Sequence, residues 1–113
     1  MAKQKILYVE DREQWLSIIE RILKNAGYEP VLFNAMMQAK AHYARHQNEI
    51  ALVLCDGSID ASDDGRNWAK ELQAAGKKTV VLSTDPAKGV PFVTKSPLNK
   101  DELLSTIARV LNA

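Results

Sequence analysis

Short apolar runs alternate with segments of helical periodicity along the chain, and this alternation limits the folds that the sequence can adopt. Because right-handed crossovers put helices on both sides of a parallel sheet, the pattern predicts an α/β fold with a covered parallel sheet. Asn34 and Asp64 are expected to cap two of the helices, and Gly27 and Gly76 to end two of them. The predicted strands are 5–9, 29–33, 50–55, 79–83 and 91–94, and the predicted helices are 12–26, 34–46, 64–75 and 101–111.

The length and composition of the chain fit a single domain that acts through other proteins. Its 113 residues suit one core, so residues 1–113 are expected to form one domain. The net charge is +1, and no run of Lys and Arg is long enough to form a nucleic-acid or membrane-surface patch. The single cysteine, Cys55, excludes an internal disulfide. We therefore expect protein partners, no nucleic acid, no membrane and a cytoplasmic location.

Polar side chains stand at the C-terminal ends of four of the five predicted strands. In a parallel sheet these ends meet at one edge, which is where such folds bind their ligands. Three carboxylates, two hydroxyls and one ammonium are therefore expected to lie together: Glu10 and Asp11 after the first strand, Asp56 after the third, Ser83 and Thr84 at the fourth, and Lys95 after the fifth.

The three carboxylates predict a divalent-cation site. Held close together, they repel one another unless a cation neutralises them. Mg²⁺ or Mn²⁺ suits a site with oxygen ligands, few protein groups and several waters. An oxygen of Asp56 could then attack a phosphoryl donor in line, while Lys95 spreads the charge and the Ser83 hydroxyl donates a hydrogen bond.

The sequence also resembles a known family over nearly its whole length. Five segments, in order, are similar to the signature of the receiver domains of bacterial response regulators: Ile-Leu-Tyr-Val-Glu10-Asp11, Leu-Val-Leu-Cys-Asp56, Asp64-Gly65, Val-Val-Leu-Ser83 and Phe92-Val-Thr-Lys95. The resemblance implies a flavodoxin-like, doubly wound sheet of five parallel strands in the order 2-1-3-4-5. It also implies two-component signalling, with a histidine kinase or phosphotransfer protein as donor and a downstream protein as target.

The resemblance assigns the metal and phosphoryl ligands residue by residue. Glu10 and Asp11 would be the metal-binding acidic pair. Asp56 would be the phosphoacceptor and a metal ligand, and Ser58 would bind the metal through its backbone carbonyl.

The resemblance also implies a switch. Ser83 would be the hydroxyl that moves to meet the phosphoryl group, Lys95 the cation that pairs with it, and Phe92 the aromatic switch residue. Thr84 departs from the family, which usually has Ala or Gly there, and its β-branched side chain is expected to narrow access to Asp56.

The connection between the fourth and fifth strands is too short for the helix that the family has there. Only residues 85–90 remain, six in all, whereas a parallel crossover usually needs about a dozen or more. We therefore expect the helix to be absent or replaced by a short loop. Apolar surface from Val80, Leu82 or Phe92 would be left open, so a partner helix or a homodimer through a non-standard face is expected to cover it.

Two other interpretations of the sequence stay open. Thr84 and the short connection favour a non-phosphorylated pseudo-receiver that acts as a protein-binding module, whereas the retained acids, hydroxyl and ammonium favour phosphorylation. A Mg²⁺-dependent phosphatase is disfavoured, because no second acid is placed to act beside Asp56, and we expect no enzyme. His42 and His46 lie one helical turn apart without an evident third metal ligand, and we assign them no function.

Overall fold

The computed structural model describes residues 3–57, 64–85, 88–95 and 97–113. Over this part of the chain, the strands are parallel and lie in the order β2-β1-β3-β4-β5, which confirms the predicted doubly wound, flavodoxin-like sheet. The elements are β1 (Lys5–Val9), α1 (Glu13–Asn25), β2 (Glu29–Phe33), α2 (Met36–His46), β3 (Ile50–Asp56), α3 (Asp64–Ala74), β4 (Thr79–Ser83), β5 (Phe92–Thr94) and α4 (Lys100–Leu111).

The register of the strands aligns the C-terminal ends of β1, β3, β4 and β5. Val9 of β1 pairs with Cys55 of β3, so the residues that follow them, Glu10 and Asp56, leave the sheet side by side. Asp56 in turn pairs with Leu82 of β4. Because parallel strands in this register end together, their polar end residues share one edge of the sheet.

Side chains alternate along the strands, so the sheet buries one apolar cluster on each face. Tyr8 and Leu54 belong to the cluster under α1 and α4, which we call the α1–α4 face. Val53 and Cys55 belong to the cluster under α2 and α3, the α2–α3 face. Both faces of the central strand β3 are therefore covered, as its continuous apolar sequence predicts.

Glycines end α1 and α3 as predicted. Gly27 and Gly76 have φ angles of +90° and +79°, which an L side chain rarely adopts, and each follows a helix whose last carbonyls accept backbone N–H groups from beyond it. The predicted cap at Asn34 is wrong, because the extended residue that precedes α2 is Ala35, one position later. No helix in the described part of the chain has the length and hydropathy needed to cross a membrane.

The connection between β4 and β5 contains no helix among its described residues, 84–85 and 88–91. Gly89 lies in a turn with a φ angle of +81°, and its carbonyl accepts a hydrogen bond from the Gln73 side chain of α3. The family's helix at this position is therefore replaced by a short loop, as the residue count predicted.

The expectation that the short connection leaves Val80 and Leu82 open is wrong. Both side chains are fully buried, because they point to the α1–α4 face rather than to the side where the helix is missing. On the α2–α3 face, Val81 is also fully buried, and Val90 and Phe92 pack against its cluster. The loop and the first residue of β5 thus help α3 to cover the sheet where a helix would otherwise lie.

The expected docking of a partner helix or second copy on this face stays a prediction, because β4 is buried but the outer residues of β5 are only partly buried. Phe92 is half-buried, and all five residues of β4 are buried by the chain's own side chains. Among the described residues, the large apolar side chains that stand exposed are Ile18 of α1 and Met37 of α2.

Candidate functional site

Three carboxylates meet at the C-terminal edge of the sheet. One oxygen each of Glu10, Asp11 and Asp56 lies within 4.8 Å of the others, and no other such group of potential metal ligands is found among the described residues. Glu10 is fully buried, and only 4% of Asp56 is exposed. The acidic cluster predicted from the strand ends therefore exists as one site.

The Lys95 side chain brings a cation into this cluster. Its Nζ donates a hydrogen bond to Glu10 Oε1 and another, at 3.0 Å, to Asp56 Oδ1. It also lies 4.9 Å from the centre of the Trp15 ring, a cation–π contact, and its side chain is only 7% exposed. One buried ammonium thus offsets the charge of two buried carboxylates.

Glu10 is surrounded by hydrogen-bond donors. The Tyr8 hydroxyl donates to it at 2.9 Å and the Arg12 backbone N–H at 3.3 Å, in addition to Lys95. Burial raises the pKa of Glu10 from 4.5 to about 7, the nearby Asp56 carboxyl adds to the rise, and Lys95 opposes it. Burial also raises the pKa of Tyr8, so this hydroxyl stays a donor.

Ser83 lies beside the acidic cluster at the end of β4. It is buried, and its Oγ lies 2.8 Å from where a Cβ on Gly57 would be, so only glycine at that position leaves the hydroxyl its place. The Lys95 backbone N–H donates to the Ser83 carbonyl at 2.9 Å, which ties the two residues together. Thr84 is exposed and stands at the mouth of the site.

An open cleft of about 230 Å³ leads to Asp56. Since a water occupies about 30 Å³ of liquid, this space holds several waters, or a phosphoryl group with a partly hydrated ion. The cleft is lined by Asp11, Arg12, Trp15, Asp56, Ser83, Thr84 and Lys95.

The donor set fits a hard divalent cation. Glu10, Asp11 and Asp56 offer only oxygen ligands, and the cleft has room for the waters that Mg²⁺ keeps when bound. Ser58, predicted as a further ligand through its carbonyl, lies outside the described residues.

Three side chains near the site were missed as functional residues in the sequence. Tyr8 is two positions before Glu10 on a strand, so the period of two places both on one side of the sheet. Trp15 of α1 lines the cleft, and its only sequence signal is its place in the apolar periodicity of the first predicted helix. Arg66 contacts Ser83 across the fold, and its one sequence signal is its position in the first turn of the helix that follows Asp56.

The other residues considered in the sequence, namely Phe92, Cys55, His42 and His46, do not line the cleft. Phe92 packs half-buried on the α2–α3 face. Cys55 is fully buried, and burial raises its pKa to about 12, so it acts as a small apolar side chain of the core rather than as a reactive thiol. The ring of His42 stacks near His46, whose Nδ1 lies 2.6 Å from Glu49 Oε2.

No protein-family model matches the sequence, and no curated protein matches it. Solved structures do match. A response regulator receiver domain from Clostridium thermocellum superposes with a TM-score of 0.84 at 20% identity, covering 96% of this chain and 94% of that one. Chemotaxis protein CheY4 of Vibrio cholerae gives a TM-score of 0.80 at 21% identity, covering 96% of this chain and 99% of that one.

A third match is the receiver domain of a sensor histidine kinase from Pseudomonas aeruginosa, whose structure has a magnesium ion coordinated in the active-site cleft. It has a TM-score of 0.83 and 23% identity, and covers 99% of this chain and 100% of that one. The chain thus has the receiver-domain fold of two-component signalling proteins, with a short loop in place of one helix.

Proposed function

We propose that this protein is a phosphoacceptor receiver domain that takes a phosphoryl group onto Asp56. The observation that carries the proposal is the position of the Asp56 carboxylate. It ends the central strand at an open cleft, within 4.8 Å of oxygens of Glu10 and Asp11 and 3.0 Å from the Lys95 ammonium. A nucleophile, two further acids and a cation are thus held by three strand ends, those of β1, β3 and β5, that the sheet fixes relative to one another.

The chemistry at Asp56 is a phosphoryl transfer. One carboxylate oxygen attacks the phosphorus, a new P–O bond forms, and the bond from phosphorus to the donor's imidazole nitrogen breaks. The nitrogen keeps the electron pair and takes up a proton, and Asp56 becomes an acyl phosphate. A bound Mg²⁺ or Mn²⁺ would neutralise charge on the carboxylates and on the phosphoryl oxygens.

Lys95 has the donors that this reaction requires. Its ammonium carries three N–H groups, of which the structure directs one to Glu10 and one to Asp56. When a phosphoryl group is added to Asp56, Lys95 can therefore contact one of its oxygens without leaving the cluster. The negative charge that accumulates there is stabilised by a cation already in place.

The donor proposed for this site is a histidine kinase or a phosphotransfer protein, and the output is contact with a downstream protein. The likeness to the receiver domain of a sensor histidine kinase supports this class of partner. Action in the cytoplasm, without catalysis of a further reaction, is part of the same proposal.

A pseudo-receiver that binds proteins without phosphorylation is the second candidate. Two observations favour it. Thr84 stands at the mouth of the cleft, and Lys95 already occupies both Glu10 and Asp56 with hydrogen bonds. In this case the cluster would be a structural ion network.

Intact mass after incubation with acetyl phosphate and Mg²⁺ tests the proposal. We expect wild type to gain one phosphoryl group and Asp56→Asn to gain none, because an amide oxygen is a far weaker nucleophile than a carboxylate. Asp101→Asn, a matched change on the exposed first turn of α4, should be modified like wild type. If wild type gains no mass from acetyl phosphate or from a phosphotransfer donor, the pseudo-receiver is favoured.

Mg²⁺ is expected to raise the melting temperature, because it binds the folded state, where the three carboxylates are held together. At ten times its Kd, an ion adds about 1.4 kcal/mol of stability, or roughly 5 °C in a domain of this size. Thermal melts across a Mg²⁺ titration measure this shift. The rise in melting temperature should vanish in Asp11→Ala and persist in Asp101→Ala. An equal rise in both variants would show that Mg²⁺ does not bind at the acidic cluster.

A further inference from the structure

Arg66 reaches across the fold from α3 to the end of β4. Its Nη2 donates a hydrogen bond to Ser83 Oγ at 2.8 Å, between residues 17 positions apart in the sequence. The same atom lies 3.4 Å from the Asp85 carbonyl oxygen and 3.8 Å from Asp85 Oδ2. The Arg66 side chain is only 15% exposed and Ser83 is buried, so their contact is shielded from water, whereas the Asp85 side chain lies in solvent.

The Ser83 hydroxyl accepts two hydrogen bonds at once. One comes from Arg66 Nη2 at 2.8 Å and the other from the Asp85 backbone N–H at 3.3 Å. A hydroxyl has two lone pairs and one proton, so two donors occupy its accepting positions. The hydroxyl proton of Ser83 therefore points away from Arg66 and from the Asp85 N–H. With both lone pairs occupied, the hydroxyl can only donate a hydrogen bond to a third group.

The further group is the one that Asp56 carries. Ser83 lines the cleft together with Asp56 and Lys95, whereas Arg66 does not line it. An oxygen of a phosphoryl group on Asp56 is a strong acceptor, and a hydroxyl whose oxygen already accepts from a guanidinium is a stronger donor than a free one.

We propose that Arg66 is a positioning residue that holds Ser83 as a ready hydrogen-bond donor for the phosphoryl group on Asp56. This inference rests on the proposed function and deepens it. The resemblance to receivers implies a hydroxyl that moves to meet the phosphoryl group, whereas here two donors hold the hydroxyl in place beforehand.

A double-mutant cycle tests whether Arg66 acts through Ser83. The rate of phosphorylation is followed by intact mass over a range of acetyl phosphate concentrations with Mg²⁺, for wild type, Arg66→Ala, Ser83→Ala and the double variant. We expect Arg66→Ala and Ser83→Ala each to lower the rate constant of phosphorylation at saturating acetyl phosphate roughly tenfold, which is the value of one hydrogen bond in the transition state. KM for acetyl phosphate should stay unchanged, because Arg66 does not line the cleft.

The double variant should be no slower than Ser83→Ala alone, because without the hydroxyl Arg66 has nothing to position. Independent, multiplied effects, or a raised KM in Arg66→Ala, would mean that Arg66 contacts the phosphoryl donor itself and would overturn the inference. Arg21→Ala removes the same charge from the exposed side of α1 and should react like wild type.

Two further variants separate positioning from folding. Arg66→Lys keeps a charged donor and Arg66→Gln keeps a neutral one, so both should recover part of the rate if a hydrogen bond to Ser83 is what matters. If wild type is phosphorylated and all Arg66 variants are phosphorylated as fast as wild type, the inference is wrong and the proposed function stands. If wild type is not phosphorylated at all, the proposed function fails and the inference fails with it.

Discussion

Lys95→Met is expected to lower the free energy of unfolding by about 3–5 kcal/mol at about pH 8 without divalent ions, the cost of breaking a buried ion pair. The Lys95 ammonium contacts both Glu10 and Asp56, and the side chains of all three are at most 7% exposed. Removing it leaves two buried carboxylates without that cation. Methionine keeps the apolar length of the side chain, so little of the loss comes from a cavity.

The loss should depend on pH through Glu10. Its pKa is raised from 4.5 to about 7 in the folded protein, by burial and by the neighbouring Asp56 carboxyl against the opposing effect of Lys95. The contribution of Glu10 to stability is therefore fully present at pH values below the pKa of Glu10 in the unfolded chain. It is lost as the pH rises through about 7, the pKa in the folded protein. Urea unfolding should show a smaller effect of Lys95→Met near pH 5, where Glu10 is protonated, than near pH 8.

Two controls assign this loss to charge. Lys77→Met, at an exposed position between α3 and β4, should change stability little. Glu10→Gln combined with Lys95→Met should recover much of the loss, because the amide removes one unpaired charge and can still accept from the Tyr8 hydroxyl. A double variant as unstable as Lys95→Met, at both pH values, would show that the ammonium contributes through packing instead.

Gly65→Ala is expected to cost about 3 kcal/mol or more, at or above the upper end of ordinary overpacking. A Cβ at this position would lie 1.7 Å from the Asp56 carbonyl oxygen and 2.8 Å from its carbonyl carbon. Both are backbone atoms of a central strand end and cannot move as a flexible side chain can. The first turn of α3 must therefore shift away from β3, and it carries Arg66 with it.

Gly76→Ala is the matched control for this change. Nothing lies within 4 Å of a Cβ there, and the cost is limited to the left-handed backbone with its φ of +79°, about 1–2 kcal/mol. Urea unfolding of both variants gives the comparison. Equal losses would contradict the close approach of α3 to Asp56.

The sequence by itself determined the order and extent of the elements and the identity of the acids. The run 50–55 has the composition of a strand buried on both faces, and β3 has that position in the sheet. Periodicity and helix-ending glycines are local properties, so Gly27 and Gly76 could be placed without knowledge of the fold. Asp56 and Lys95 could be predicted to meet because parallel strands end at one edge.

Only the tertiary structure decided how these groups are paired and which faces are covered. Lys95 reaches Glu10 across 85 positions and Arg66 reaches Ser83 across 17, and such contacts depend on how whole elements pack. Lys95, expected from the sequence to pair with the phosphoryl group, forms hydrogen bonds to the buried carboxylates of Glu10 and Asp56 in the structure. Likewise, only the structure shows that α3 and the short loop cover Val81. Side chains along a strand point alternately to the two faces of the sheet, but the strand sequence does not specify which element lies over each face.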